Sequence, residues 1–311
     1  MGADLTTIVV NWNTVGLLDE CLASIVAATP TGLVNEIVVV DNASTDGSAE
    51  HVEDNWPGVR VLRNERNEGF CRANNRAIRE TDSDTVLLVN TDARLRPDGI
   101  AGLLAYFERD DRAAVVGPRL EYADGTFQRW TAGRLPDLLS MSAWLLGWER
   151  IRWPGNDVTG LYLARDTTTP FRPEWVTSAV MALRRSALDE IGLLDERIFV
   201  YMDDVDLCGR AVAAGWHVWY AADVTAVHFM GASSGSARGA ASPEAIRALN
   251  RWFRREHGRP AAKALQAIEV AGFAARAGAH GARSLLGRPH ARDRARHHLT
   301  HLRLAWEPID A

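Results

Sequence analysis

The chain has 311 residues, 47% hydrophobic and 24% charged, with a net charge of −5; these are the proportions of a globular protein rather than a disordered one. Its three cysteines, Cys21, Cys71 and Cys208, match no zinc or disulfide spacing and read as buried, reduced thiols. The single lysine, Lys263, lies late in the chain, which excludes phosphate binding by a P-loop lysine in the main body.

The charge is unevenly spread. Residues 1–237 hold 21 Lys+Arg against 34 Asp+Glu, whereas residues 238–311 hold 14 against 6 and carry six of the nine histidines. That asymmetry marks a boundary near residue 240, between a domain at 1–232 and a linker with a basic helical extension at 233–311. The start, MGADLTTIVV, enters a strand-like run with no basic leader, and no uncharged apolar stretch of about 18 residues follows. A protein made and kept in the cytosol is expected.

In chain order, LTTIVVNW (5–12) reads as a buried strand and 14–28 as a helix with Thr14 as N-cap. EIVVV (36–40) is a second strand, closed by the turn-forming DNASTDGS. A helix over about 47–55, a strand at 59–63, a helix at 70–80 and a fourth strand, TVLLVN (85–90), follow. Arg96-Pro97 opens a helix to about 109. Strands alternating with helices imply βαβ units and a mostly parallel sheet. From about 113 to 175 the periodicity degrades, and 130–170, rich in Trp, Gly, Pro and Thr, reads as a long loop or irregular helical insert; Trp144, Trp148 and Trp153 there suit packing or a groove wall. A strand within 175–185, a helix near 186–191, a helix at 203–214 and strands near 216–221 and 224–229 complete the domain. A Ser/Gly/Ala linker beyond Gly231 leads to Ala- and Arg-rich helices.

In such a sheet, ligands bind beyond the carboxyl ends of the strands. Those ends carry Asn11-Trp12-Asn13, Asp41-Asn42, Arg63-Asn64 and Asn90-Thr91-Asp92. The rim holds carboxylates and amides but neither GxGxxG nor GxxxxGK[ST]. It suits a diphosphate only with a divalent cation between, and Asp92 is the natural anchor. The second cluster is Tyr201-Met202-Asp203-Asp204-Val205-Asp206: carboxylates at a helix start complement its dipole, and one facing the cleft can take a proton from an acceptor hydroxyl.

Eight stretches in order, IVVNWN (8–13), VVVDNASTDGS (38–48), RNERNEGFCRANNRAI (63–78), LLVNTD (87–92), GPRL (117–120), WVTSAVMALRR (175–185), LLDERIFVYMDDVDLCGR (193–210) and AGWHVWY…VH (214–228), resemble family 2 inverting glycosyltransferases, especially their rhamnosyltransferase-like branch. The resemblance implies the GT-A fold (Rossmann-like α/β), a nucleotide-sugar donor and a divalent metal, Mg²⁺ or Mn²⁺. It places Trp12 on the nucleotide base, Asp41 at the pyrimidine and Arg72 near the diphosphate. Asn90 and Asp92 occupy the DxD position, with Asn90 replacing the first acid, and His228 completes the metal shell. Asp204 stands as general base beside Asp203, and Trp175 opens the acceptor-side strand. Ser178 replaces a usual glycine. The implied reaction moves a sugar, L-rhamnose from dTDP-rhamnose before a UDP-hexose or galactofuranose, onto a glycan, lipid-linked or small-molecule acceptor. The competing readings are a nucleotidyltransferase or dinucleotide enzyme on the same sheet, and a non-catalytic sugar-nucleotide-binding protein. The basic tail could lie on an anionic membrane or pack on the domain or a second subunit; nucleic acid is not expected.

Overall fold

The computed structural model describes residues 3–146, 160–163, 165–229 and 243–307. Trp148, Trp153 and the linker after Gly231 lie outside them. The chain divides into two compact units, Met1–Gly133 with Arg165–Ser236, and Arg134–Ala164 with Ala237–Ala311.

The first unit begins with β1 (Leu5–Asn11), α1 (Val15–Ala28), β2 (Asn35–Asp41), α2 (Ser48–Asn55), β3 (Val59–Arg63), α3 (Phe70–Arg79) and β4 (Thr85–Val89). Next come β5 (Ala93–Leu95), α4 (Gly99–Arg109), β6 (Ala113–Glu121) and β7 (Ala132–Gly133). After the residues given to the second unit follow β8 (Trp175–Val176), β9 (Val180–Arg184), α6 (Arg185–Ile191), α7 (Asp203–Ala213) and β10 (His217–His228). Eight strands form one sheet in the order β3-β2-β1-β4-β9-β6-β10-β5, and β7 pairs separately with β8.

Both sheet faces are covered. Val9, Val39, Leu87 and Val89 join the core with Leu18, Leu22 and Ile25 of α1. The alternate residues Ile8, Val38, Val40, Val86 and Leu88 are just as fully buried. This two-sided burial is why these strands read as continuous apolar runs rather than alternating ones.

The sheet is mostly parallel, as expected: β3, β2, β1, β4, β6 and β10 share one direction, while β9 runs antiparallel to β4 and β6, and β5 antiparallel to β10. A buried apolar run carries no mark of its direction. Other expectations need correction. Ala113–Glu121, where the periodicity degrades, is a central strand despite Pro118. Its partner β10 departs from regular pairing there: Ala221 lies opposite Pro118 and Thr225 opposite Arg119, so three residues of β10 bulge out. The proline falls where the ladder is already interrupted. The two strands expected at 216–229 are this one bulged strand. Thr14 does not cap α1 with its side chain. Its hydroxyl donates to Asn11 Oδ1 (2.6 Å), and the Asp46 carboxylate accepts the Val15 N–H instead (3.0 Å). All three cysteines are free and buried, and burial pushes their thiols up.

The second unit contains α5 (Leu138–Leu146), α8 (Pro243–Leu285) and α9 (Ala291–Ala305). The segment expected as a long loop or irregular helical insert thus supplies a helix. A side chain at Gly272 of α8 would strike Leu145 of α5, its Cβ lying 2.8 Å from Leu145 Cβ. Helix α8 is broken at Gly258, whose φ of 80° only glycine adopts freely. Arg247 of α8 grips Glu307 beyond α9 through two hydrogen bonds of 2.9 and 3.0 Å. Among the described residues, no helix is long and apolar enough to cross a membrane.

Glu269 of α8 is fully buried, accepting one hydrogen bond from Asn250 (3.0 Å), and burial pushes its carboxyl up to about 7. An unfolded glutamate releases its proton near pH 4.5, so between there and about pH 7 the folded state holds a proton the unfolded state has lost. Stability should fall across that window by up to about 3 kcal/mol. Urea unfolding of the full chain at pH 5 and pH 8 tests this: Glu269→Gln should flatten the slope that the wild type shows.

Candidate active site

The carboxyl ends of the parallel strands form a hydrogen-bonded rim. Register places Asn11 opposite Asp41, and Asp41 opposite Arg63. Asn11 Nδ2 donates to Asp41 Oδ1 and to Ser44 Oγ, both at 3.0 Å, and the Ser44 N–H donates to Asp41 Oδ2 (3.0 Å). Asp41 is 4% exposed, so both its oxygens tie the β2 loop to β1. Trp12, by contrast, is 52% exposed and presents an aromatic face at the end of β1. Asn42 knits the next layer: its Oδ1 accepts from Asn64 Nδ2 (2.7 Å) and the Glu68 N–H (3.2 Å), and its Nδ2 donates to the Gly69 carbonyl (3.2 Å).

Helix α3 holds the loop that leads to the acidic cluster. The Asn75 amide pairs with both backbone groups of Leu194, at 2.8 and 3.1 Å. The Phe70 N–H donates to the Phe199 carbonyl (2.8 Å). Gly69, at φ 82°, makes that approach feasible: a Cβ there would lie 2.7 Å from the Phe199 ring and carbonyl oxygen. Arg72, half exposed on the same helix, pairs with Glu196 (3.3 Å), which Arg79 also grips (2.6 Å).

At the end of β4 the Asn90 N–H donates to the Ala179 carbonyl (2.9 Å). Asp92, 1% exposed, points Oδ1 to within 3.3 Å of His228 Nε2. The Phe229 N–H donates to the Asp92 carbonyl (2.8 Å), which fastens the end of β10 there. Buried Gln128 decides what the histidine offers. Its amide nitrogen donates to the carbonyls of Glu121 (3.2 Å) and His228 (2.5 Å), so its Oε1 must accept from His228 Nδ1 (3.1 Å). Nδ1 therefore carries a proton, and the neutral ring turns its Nε2 lone pair toward the carboxylate. Two electron-rich atoms at 3.3 Å need a shared proton or cation, and ligands of one octahedral cation stand about 3 Å apart. Asp92 and His228 therefore fit a divalent ion.

The acidic cluster is sorted by its partners. Tyr201 and Met202 are both left-handed (φ 63° and 67°) immediately before α7, a strained approach of the kind that collects at functional sites. Asp203, buried, accepts from Ser178 Oγ (2.7 Å); Asp206, buried, pairs with Arg210 (3.0 Å). Asp204 is the least enclosed of the three and is held by the backbone N–H groups of Val205 (2.8 Å) and Ser178. Burial, then the neighbouring Asp203 charge, pushes Asp204 up to about 7, and burial raises Asp203 as well. Ser178 and Ala179 are adjacent, so one turn before β9 touches both the base-side carboxylates and the β4 end.

Trp175, which the resemblance sets at the start of the acceptor-side strand, is 4% exposed and sits in the β8 pairing with β7. Gln128 and the anchoring role of Ser178 escape the sequence reading. Gln128 lies in the stretch without periodicity or motif, and Ser178 there marks only a departure from glycine.

A family model, "Glycosyl transferase family 2", matches residues 6–192. The chain belongs to glycosyl transferase family 2. An N-acetylglucosaminyl-diphospho-decaprenol L-rhamnosyltransferase of Mycobacterium tuberculosis is 32% identical over 232 residues, covering 70% of this chain and 73% of the relative. A dTDP-rhamnosyl transferase of Shigella flexneri is 22% identical over 64% of this chain and 61% of its own. A mannosyltransferase of Pyrobaculum calidifontis, solved with GDP-Man and Mn²⁺, superposes with a TM-score of 0.61 at 18% identity, covering 98% of this chain and 86% of that one. The fold is GT-A and the chain is a glycosyltransferase.

If Gln128 sets the tautomer of His228, Gln128→Leu should weaken Mn²⁺ binding about 10- to 100-fold, the usual cost of losing such an orienting partner. Calorimetric titration of the full chain with Mn²⁺ reads this directly; unchanged affinity would exclude the orienting role.

Proposed function

We propose that this glycosyltransferase moves L-rhamnose from dTDP-rhamnose to a hydroxyl of a lipid-linked saccharide, with inversion at the anomeric carbon. The observation that carries the chemistry is the turn at Ser178-Ala179, which ties Asp203 and Asp204 to the strand end bearing Asn90 and Asp92. The rhamnosyl donor and the lipid-linked acceptor rest on the two rhamnosyltransferase relatives, whose names carry those terms.

Asp204 accepts the proton of the acceptor hydroxyl as that oxygen bonds to the anomeric carbon. The bond from that carbon to the diphosphate oxygen breaks on the opposite side, and the nucleoside diphosphate leaves with the electron pair. Asp203, fixed by Ser178, holds negative charge beside Asp204 and keeps its affinity for the proton high. A divalent cation held by Asp92 and His228 would neutralise the leaving diphosphate. Trp12 offers the base a stacking face, Arg72 the diphosphate a guanidinium, and Asn90, at the same strand end as Asp92, would add an amide. Asp41 supports the pyrimidine pocket by fixing its loop. All these residues come from the 1–232 stretch, which we assign as the catalytic part. The exposed Leu285, Leu286, Leu299 and Trp306 in the basic extension support peripheral contact with a membrane that carries such an acceptor.

Asp204→Asn should lower turnover by about 10²–10⁴ with donor binding intact. Wild-type turnover should rise with pH through about 7 as Asp204 loses its proton, then level off. Both are measured by nucleoside diphosphate release from a panel of nucleotide sugars, with the product anomer read by NMR. Wild-type turnover in the variant would remove Asp204 as base; preference for another donor would overturn the rhamnosyl assignment alone.

A further inference from the structure

The second unit holds a histidine cluster that the sugar-transfer chemistry does not use. His297, His298 and His301 lie on α9 at spacings of one, three and four residues, which bring three imidazoles toward one side of a helix. A ring nitrogen of each lies within 4.8 Å of the others. The ring centroids of His297 and His301 are 4.1 Å apart, and those of His297 and His298 are 5.4 Å apart. His280 of α8 stacks on His298 at 5.5 Å, and Phe273 of α8 backs both His298 (6.4 Å) and His301 (5.2 Å). Four imidazoles packed together cannot all carry charge, and the cationic side chains bearing on them, Arg276, Arg283 and Arg294, oppose protonation further. Neutral rings present lone pairs. Among the described residues, the Nδ1 atoms of His298 and His280 are buried without a hydrogen-bond partner.

We propose that His297, His298 and His301 bind one divalent transition-metal ion of the zinc type, at a site within the helical unit and separate from the sugar-transfer centre. Three neutral imidazoles are a donor set for Zn²⁺, Co²⁺, Ni²⁺ or Cu²⁺, whereas Mg²⁺ and Ca²⁺ take oxygen ligands. The ligand nitrogens need to close by only an ångström or so to reach tetrahedral spacing, within the range of side-chain rotation. Three protein ligands leave a fourth position, and the surrounding arginines favour an anion or hydroxide there. Because all three ligands sit on α9, with His298 and His301 packed on Phe273 of α8 and His298 also on His280, the ion would lock the rotamers that join the two helices.

The test uses full-length protein without an affinity tag, stripped with chelator and titrated with Co²⁺ alone while the visible spectrum is followed. Wild type should develop the intense bands of four-coordinate, nitrogen-ligated Co²⁺, saturating at one equivalent and displaced by Zn²⁺. His297→Asn and His301→Asn should each lose those bands with an unchanged far-ultraviolet circular dichroism spectrum. Asp92→Asn should keep them, which separates this site from the catalytic ion. Absence of the bands in wild type overturns the proposal without reference to any variant, as does their persistence in the His297→Asn/His301→Asn double variant.

Discussion

Strand β9 runs against β4 from Arg184 opposite Thr85 to Val180 opposite Val89, and the Asn90 N–H extends the pairing by one hydrogen bond to Ala179. That bond sets the separation between the two halves of the reacting centre. On one side it fixes the β4 end, where Asp92 meets His228. On the other it fixes the turn at Ser178, whose hydroxyl and backbone N–H hold Asp203 and Asp204. A fully parallel sheet would bring β9 in with its other end at the rim and would place Arg184 there instead. The reversal of one strand is therefore what lets residues more than a hundred positions apart in sequence meet.

The acidic run before and within α7 shows how one sequence motif divides its work. Three aspartates in four residues would repel one another in a common environment. Here one is anchored by a hydroxyl, one by a guanidinium, and the third, less enclosed, rests on backbone N–H groups at the start of a helix. Burial and mutual repulsion then raise the proton affinity of the third, which is what a base working near neutral pH requires. The left-handed backbone at Tyr201 and Met202 is the local cost of aiming it, and the clamp of Asn75 on Leu194 with the seat of Phe199 on Gly69 holds the strained loop in place.

Much of this was legible in the sequence, for identifiable reasons. The βαβ half reads easily because two-sided burial makes its strands apolar throughout and Gly, Asn and Asp punctuate them. Asp92 and Asp204 stand out because carboxylates at strand ends and helix starts need compensation. The direction of β9 was not legible, since hydrophobicity is blind to polarity of the chain. Nor was β6, which falls where the periodicity degrades and carries Pro118 at the place where its neighbour bulges. Trp175 marks a different limit: a motif position marks a residue as important without saying whether it faces a ligand or the core. Gln128 acts only through a contact a hundred residues distant, and no local pattern announces such a partner.

The bulge in β10 has a further consequence. Residues 222–224 are surplus to the pairing with β6, and they are anchored on α4: Asp223 accepts from the Tyr106 hydroxyl, while Val224 occupies the space over Gly102 that a larger residue would claim. Side chains alternate faces along a strand, so the parity of that excursion decides which way His228 points. Shortening the excursion by one residue would leave the strand able to pair and the sheet able to form, yet would turn the imidazole away from Asp92. At this place chain length is a functional variable in its own right: family members that differ here by an odd number of residues would have to recruit a different ligand for the ion, whatever their side chains elsewhere.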